Sequence, residues 1–252
     1  MVHLAPLPGS PQYAGSIEAV LRPALADASA LAEAGFPALM VENFGDAPFF
    51  ADAVPAATVA ALTRVVTEIR AEVALEVGVN VLRNDAGAAL AVAAATGASM
   101  IRVNVLSGTM FTDQGAVTGR AAEVARLRAV LAPEVGVLAD VFVKHAVPPP
   151  GLTLEQAALD TWERAGATAL VVSGSGTGVA VNLEDLRRVR AAVPDAPLVV
   201  GSGATPETLA AIAPLAGSVI VGTALKLGGV ASPVDPARAR RFVEAASWAW
   251  PD

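Results

Sequence analysis

The chain has 252 residues, 54% of them hydrophobic and only 4% aromatic, with a formal net charge of −7. A nucleic-acid groove needs a basic face, so this acidic balance argues against DNA or RNA as a partner. The absence of Cys excludes disulfides, thiolate nucleophiles and Cys-based zinc sites, and fits a cytoplasmic protein. Ala and Val carry the hydropathy. The charge-free stretches 86–101, 165–183 and 208–225 are each interrupted by Gly, Pro, Asn or Ser/Thr, so none predicts a membrane span. The opening residues lack the basic and apolar regions of a secretory signal.

β-Branched runs alternate with Ala-rich helical stretches throughout. The predicted strands are 2–7, 38–43, 74–80, 99–105, 136–144, 169–173, 198–202 and 218–223. Between them, Ser16 caps a helix ending at Gly35, and Asn84-Asp85 opens one ending at Gly97. Thr153-Leu154-Glu155-Gln156 reads as a capping box for a helix ending at Gly166. Thr205-Pro206 and Asp235-Pro236 each place a cap before Pro at the first helical position. Strands that are nearly apolar on both faces belong to a parallel sheet covered on both sides. Eight such repeats in a chain of this length predict an α/β fold, a single (β/α)8 TIM barrel over residues 1–252. The Trp248 and Trp250 tail is expected to dock on the barrel or on another copy in a homo-oligomer.

In such barrels the chemistry sits at the C-terminal strand ends. The polar residues gather there: Glu42 on strand two, Asn80 on strand three, Arg102 and Asn104 on strand four, Asp140 and Lys144 on strand five. Side-chain alternation turns these six inward and leaves Val41, Val79, Val103, Val141 and Val143 to pack against helices. A structural polar plug would serve stability no better than Val, Ile or Leu, because desolvating charge is costly. The set therefore predicts a catalytic centre. Only two of the 17 basic residues are Lys, at 144 and 226, and both fall at the functional end of the barrel. A compact amine of adjustable pKa does what Arg cannot. Lys144 is the catalytic candidate, and Lys226 a helix cap or a phosphate grip. His3 reads as a hydrogen-bonded core residue and Asp85 as a helix cap.

Glycine is the second signal. Ser173, Gly174 and Gly176 follow strand six, Gly201, Ser202 and Gly203 follow strand seven, and Gly222 and Thr223 follow strand eight. Glycine lets main-chain N–H groups approach an anion, and a following helix N-terminus adds a favourable dipole. These three turns predict a phosphate-binding site. The segment 106–115 is long for a βα loop and predicts a lid with Gly108 and Gly115 as hinges. Thr112, Asp113 and Gln114 lie in that lid, and Phe111 is expected to seal the mouth. No cofactor is predicted and no metal motif appears, although Glu42, Asp46, Asp140 and His145 offer ligands for a divalent cation such as Mg.

Several motifs together carry a resemblance. They are His3-Leu4-Ala5-Pro6-Leu7-Pro8-Gly9-Ser10-Pro11, Glu42-Asn43-Phe44-Gly45-Asp46-Ala47-Pro48-Phe49, Asn80-Val81-Leu82-Arg83-Asn84-Asp85, Ile101-Arg102-Val103-Asn104 and Thr112-Asp113-Gln114-Gly115. Further on come Asp140-Val141-Phe142-Val143-Lys144-His145, Gly201-Ser202-Gly203 and the stretch from Val221 to Asp235. In this order they resemble the BtpA/SgcQ family over essentially the whole chain. The resemblance implies a TIM barrel with a phosphate-type site, photosystem I biogenesis in cyanobacteria and, for an enteric relative, a setting among sugar-utilisation genes. It brings no established reaction. Two functions follow as expectations. One is an isomerase, lyase or hydrolase acting on a phosphorylated sugar, nucleoside or similar anion by acid/base or Schiff-base chemistry. The other is a non-catalytic factor for membrane-complex assembly that does not insert into the membrane. A flavin phosphate held by the same loops is a third.

Overall fold

The computed structural model describes residues 1–251. Eight parallel strands run in the spatial order β1 (Val2–His3), β2 (Ala38–Glu42), β3 (Glu76–Asn80), β4 (Met100–Val103), β7 (Gly136–Val141), β9 (Ala169–Val172), β10 (Leu198–Val200) and β11 (Ser218–Val219). Each occupies one of the eight predicted stretches. The sheet curls until the end of β11 meets β1: a Cβ on Gly222 would lie 2.6 Å from His3 Cε1. The intervening helices are α1 (Glu18–Glu33), α2 (Ala56–Glu72), α3 (Ala86–Thr96), α4 (Ala121–Leu131), α5 (Leu154–Leu159), α6 (Leu183–Ala192), α7 (Leu209–Ile212) and α8 (Pro236–Ala249). This is the α/β barrel that the alternation of strands and helices predicts. No helix among the described residues is long and apolar enough to cross a membrane.

The strand pattern divides as side-chain alternation requires. Val41, Val79, Ile101, Val103, Val141, Leu170 and Val200 face outward into the main core shared with the helices. Val171, Val199 and Ala169 form a separate interior cluster. The register sets the height of the polar ring. His3 pairs with Glu42, Glu42 with Asn80, and Asn80 with Arg102, so four polar residues stand on one rung. Below them Met40 and Met100 fill the space at Gly78, where any Cβ would lie 2.6 Å from Met100 Cγ.

Local chemistry fixes the ends of most elements. Asp85 caps α3 by accepting from Ala88 N at 2.8 Å, and Gly97 ends it in the left-handed region. Asp235 caps α8 ahead of Pro236. Thr153 caps α5, but Gln156 turns forward to Asp160, so only half of the predicted box forms. Two predicted caps are not made. α1 starts after Ile17 with no side-chain cap. The Thr205-Pro206 segment makes a turn, because the Thr208 hydroxyl donates to Thr205 O and accepts from Thr205 N. That local pairing competes with the helix and leaves α7 one turn long. Trp250 docks through Nε1 on Ala216 O, whereas Trp248 is 83% exposed.

Lys226 is not at the barrel mouth. Its ammonium donates to Val230 O at 2.8 Å and lies 3.5 Å from Asp27 of α1, both side chains being buried. Asp27 also accepts from Val234 N. The pair ties the loop after β11 to α1, which is a packing role and corrects the expectation of a phosphate grip. Asp27→Ala should cost about 3–5 kcal/mol in urea unfolding, because it strands a buried cation. The combined Asp27→Leu, Lys226→Met change should recover part of that loss. A cost below about 1 kcal/mol for Asp27→Ala would show that the pair does not hold the loop.

Candidate functional site

Glu42, Asn80, Arg102 and Asp140 converge as their parity predicts and Asn104 and Lys144 join them from beyond the strand ends, but the six do not stand alike. Asp140 is spent on its neighbours. It receives Arg102 Nη2 at 2.7 Å, Arg102 Nε at 3.1 Å and Asn104 Nδ2 at 2.8 Å, with Ser173 Oγ at 3.5 Å. Burial opposes the charge on Arg102, but Asp140 outweighs it and raises the guanidinium above its ordinary pKa. Asn80 donates to Arg102 O and to Asn104 Oδ1, and its own Oδ1 is buried without a partner. Glu42 is buried yet uncommitted: its nearest ionic neighbour is His3 Nε2, 3.9 Å away.

Lys144 reaches the site by a route that alternation alone does not give. β7 stops at Val141, and Phe142 and His145 both adopt positive φ, at 53° and 58°. Those left-handed turns break the strand, so Val143 packs beneath the lid instead of against a helix. Lys144 faces a cavity of about 300 Å³ shared with Glu42, Phe44, Arg83, Asp113 and His145. Burial, helped by Arg102, pushes its amine below the usual lysine range. Its main chain is braced on both sides. Arg83 Nη2 donates to Lys144 O at 2.7 Å, and His145 N donates to Ser175 O.

The glycine turns come together on the other side of Lys144. Gly201, Ser202, Gly203, Gly222 and Thr223 line a pocket of about 20 Å³ with Arg102, Lys144 and Thr177. Ser202 Oγ is buried there with no partner. Ser173, Gly174 and Gly176 do not line it, and the Ser173 hydroxyl is turned to Asp140. Gly174 and Gly176 belong to the loop that folds across the turn after β10. A Cβ on Gly201 would strike Ser173 Oγ and lie 2.5 Å from Val171 Cγ1. On Gly203 it would strike Val179 O, and on Gly174 Val179 O as well. These glycines therefore permit loop-on-loop contact whatever else they bind. The expected helix dipole is missing, because only a single 3₁₀ turn, Thr223–Leu225, follows β11 and α7 is one turn long.

The lid is a small antiparallel sheet. β5 (Thr109–Thr112) and β6 (Gly115–Thr118) form a hairpin with Asp113 and Gln114 at its tip, and β8 (Ala146–Val147) pairs with β5. Gly108 and Gly115 have φ of 67° and 93°. Met110 faces inward and packs with Val105, Val117 and Val143. Phe111 points away and is 50% exposed, because strand alternation gives the inner face to its neighbour. Met110 therefore closes this side.

Asp46 accepts from Leu7 N and Asn43, and burial raises its carboxyl pKa. His145 meets Thr177 Oγ1 at 3.0 Å. Among the described residues no three His, Cys, Asp or Glu side chains gather closely enough to hold a metal ion. Asn43 and Asn84 brace loops through Leu82 N and Val105. Sequence reasoning missed Arg83, Phe44, Phe49, Leu82 and Thr177 as cavity lining. They stand in loops where strand parity says nothing about direction. A basic residue three positions past Asn80 was the only available signal for Arg83.

Burial pushes the His3 imidazole down to about 2. The unfolded chain takes up this proton near pH 6.5 and the folded chain does not, so stability falls as pH drops below 6.5. Between pH 6.5 and 5 this one group should remove about 2 kcal/mol. Urea unfolding of His3→Gln against the unsubstituted chain should show the pH slopes differing by that amount. Equal slopes would mean that folding leaves the His3 pKa where it is in the unfolded chain.

The BtpA family profile matches residues 1–248. The photosystem I biogenesis protein BtpA of Synechocystis is 44% identical over 97% of this chain and 86% of its own length. An uncharacterized protein of Thermococcus kodakarensis is 50% identical over 98% of this chain and 93% of its own. In fold the chain is similar to a thiamine phosphate pyrophosphorylase from Pyrococcus furiosus, with a TM-score of 0.59 at 14% identity over 91% of this chain and 92% of that one. A motif order running the length of the chain, a profile match of the same extent and relatives at these identities lead to one conclusion: the chain belongs to the BtpA family.

Proposed function

We propose that this protein is an enzyme that acts on a phosphorylated sugar, nucleoside or related small anion at the C-terminal face of its barrel. One observation carries the reading. The glycine-lined pocket and the larger cavity share Lys144 and Thr177. A phosphate on the first would present its attached carbon skeleton to the groups of the second. Ser202 Oγ and the Arg102 guanidinium face that phosphate position, and main-chain N–H groups of the glycine turns supply further donors. A pocket of about 20 Å³ holds little more than a water, so the loop at 174–180 moves outward when phosphate enters. The fold neighbour named for thiamine phosphate supports a phosphorylated ligand in a barrel of this kind.

The two inward carboxylates divide the work as their environments dictate. Asp140 fixes Arg102 and Asn104 and has no free oxygen with which to exchange protons. Glu42 lines the cavity beside a neutral His3 and serves as the general acid/base. Lys144, its amine lowered by burial, stabilises a developing oxyanion or condenses with a carbonyl as a Schiff base. Asn80 and Asn104 orient the ligand, and the Asp113-Gln114 hairpin tip closes over it. Isomerase, lyase and hydrolase chemistry all suit this equipment.

A thermal-shift screen against inorganic phosphate, sugar phosphates and nucleotides tests the reading, with and without Mg. A phosphorylated ligand should stabilise the wild-type chain, by about 3 kcal/mol at a hundredfold excess over Kd. Lys144→Ala should bind the same ligand and lose turnover by a factor of about 100 or more. No stabilisation by any anion would remove the phosphate site. Unchanged turnover in Lys144→Ala would place the catalytic centre elsewhere.

The second reading is an assembly factor. The name of the Synechocystis relative supports it, as do Phe111 and Val147, exposed cross-strand neighbours on the outer face of the lid. Phe111→Ser with Val147→Thr should then abolish partner function and leave phosphate binding intact.

A further inference from the structure

Among the described residues three long cationic side chains are buried: Arg83, Arg102 and Lys226. Two of them have a carboxylate. Arg102 is held by Asp140, and Lys226 by Asp27. Arg83 is 5% exposed and has none within 4.0 Å among the described residues. The one hydrogen bond of its side chain, from Nη2 to Lys144 O, uses a single donor of the five that a guanidinium carries. A brace for one carbonyl does not require a full charge in the interior, where an unpaired cation is costly.

Arg83 lines the larger cavity and not the glycine pocket. Lys144, which lines both, also lacks an ionic partner. Glu42 and Asp113 face the same space. Glu42 is nearest to His3, and Asp113 lies exposed at the hairpin tip, engaged with Gln114, so neither neutralises Arg83 by contact. The cavity outside the glycine pocket thus presents a guanidinium with no carboxylate in contact, the side chain best shaped to grip a carboxylate or phosphate through two parallel hydrogen bonds.

We propose that Arg83 binds a second anionic group of the ligand, a carboxylate or a second phosphate, so that the ligand carries negative charge at both ends with the reacting carbons between them at Glu42 and Lys144. This rests on the phosphate reading of the glycine pocket and deepens it: the substrate is a phosphorylated acid or a bisphosphate. The cavity of about 300 Å³ suits a small molecule of that kind.

Two matched pairs test it: glycerol 3-phosphate against 3-phosphoglycerate, and fructose 6-phosphate against fructose 1,6-bisphosphate. The first pair adds a carboxylate and the second a phosphate, so the preferred pair identifies the second group. On the wild-type chain the doubly anionic member of one pair should bind about tenfold tighter or more. Arg83→Gln should erase that gain, read as the ratio of affinities within the pair so that any shift of Lys144 acts on both members alike. Arg83→Lys should retain part of it and guards against a folding defect in the Gln variant. Equal affinity within both pairs on the wild-type chain overturns the proposal, and so does a gain that survives Arg83→Gln. In either case single-phosphate binding still supports the glycine pocket. Failure of inorganic phosphate and every phosphorylated probe to bind overturns that pocket and this proposal together.

Discussion

The buried pair of Arg102 and Asp140 is the contact on which the rest of the site depends. Two charges without water are worth keeping only when their hydrogen bonds are nearly complete. Here Asp140 takes both Arg102 nitrogens and the Asn104 amide, and Asn80 takes the Arg102 carbonyl and the other end of Asn104. Three adjacent strands are thereby locked at one height. The guanidinium also lies beside the turn after β10 on the far side of the barrel. A Cβ at position 201 would strike Ser173 Oγ and Val171 Cγ1, with Arg102 Nη2 3.1 Å away, so that position is glycine.

The same contact separates two carboxylates that composition cannot tell apart. Asp140 and Glu42 are both buried on inward faces. Asp140 answers a fixed cation, and Glu42 stands beside a histidine that burial keeps neutral. A committed acid next to an uncommitted one is the arrangement that lets one hold geometry while the other moves a proton.

Much of this was legible in the residues. Period-two alternation correctly turned Glu42, Asn80, Arg102 and Asp140 inward, because each lies inside a regular strand where Cβ direction follows from position alone. Legibility stopped where regularity stopped. β7 ends at Val141, and left-handed Phe142 sends Val143 under the lid. Bulky residues rarely adopt positive φ, so nothing in the composition announced the break. The lid hairpin was recognised as a long loop, but its register was not, and Met110 took the place expected of Phe111. The neighbourhood of Lys226 in sequence points to the barrel mouth, whereas its partner Asp27 lies on α1, far away along the chain. Arg83 was passed over because a loop residue has no parity.

Lys144 shows how these irregularities serve the site. The two left-handed residues that flank its segment turn the chain back on itself, and each neighbour of the lysine is tied to a different wall. Arg83 holds its carbonyl, so the guanidinium that faces the cavity also fixes the amine beside it. His145 is bound through its main chain to Ser175 and through its ring to Thr177, inside the glycine loop. Any movement of that loop pulls on His145, and through it on the placement of the Lys144 amine. The glycine loop and the placement of the Lys144 amine are therefore joined at a single peptide segment. A flexible lysine on an uninterrupted strand would lack that coupling.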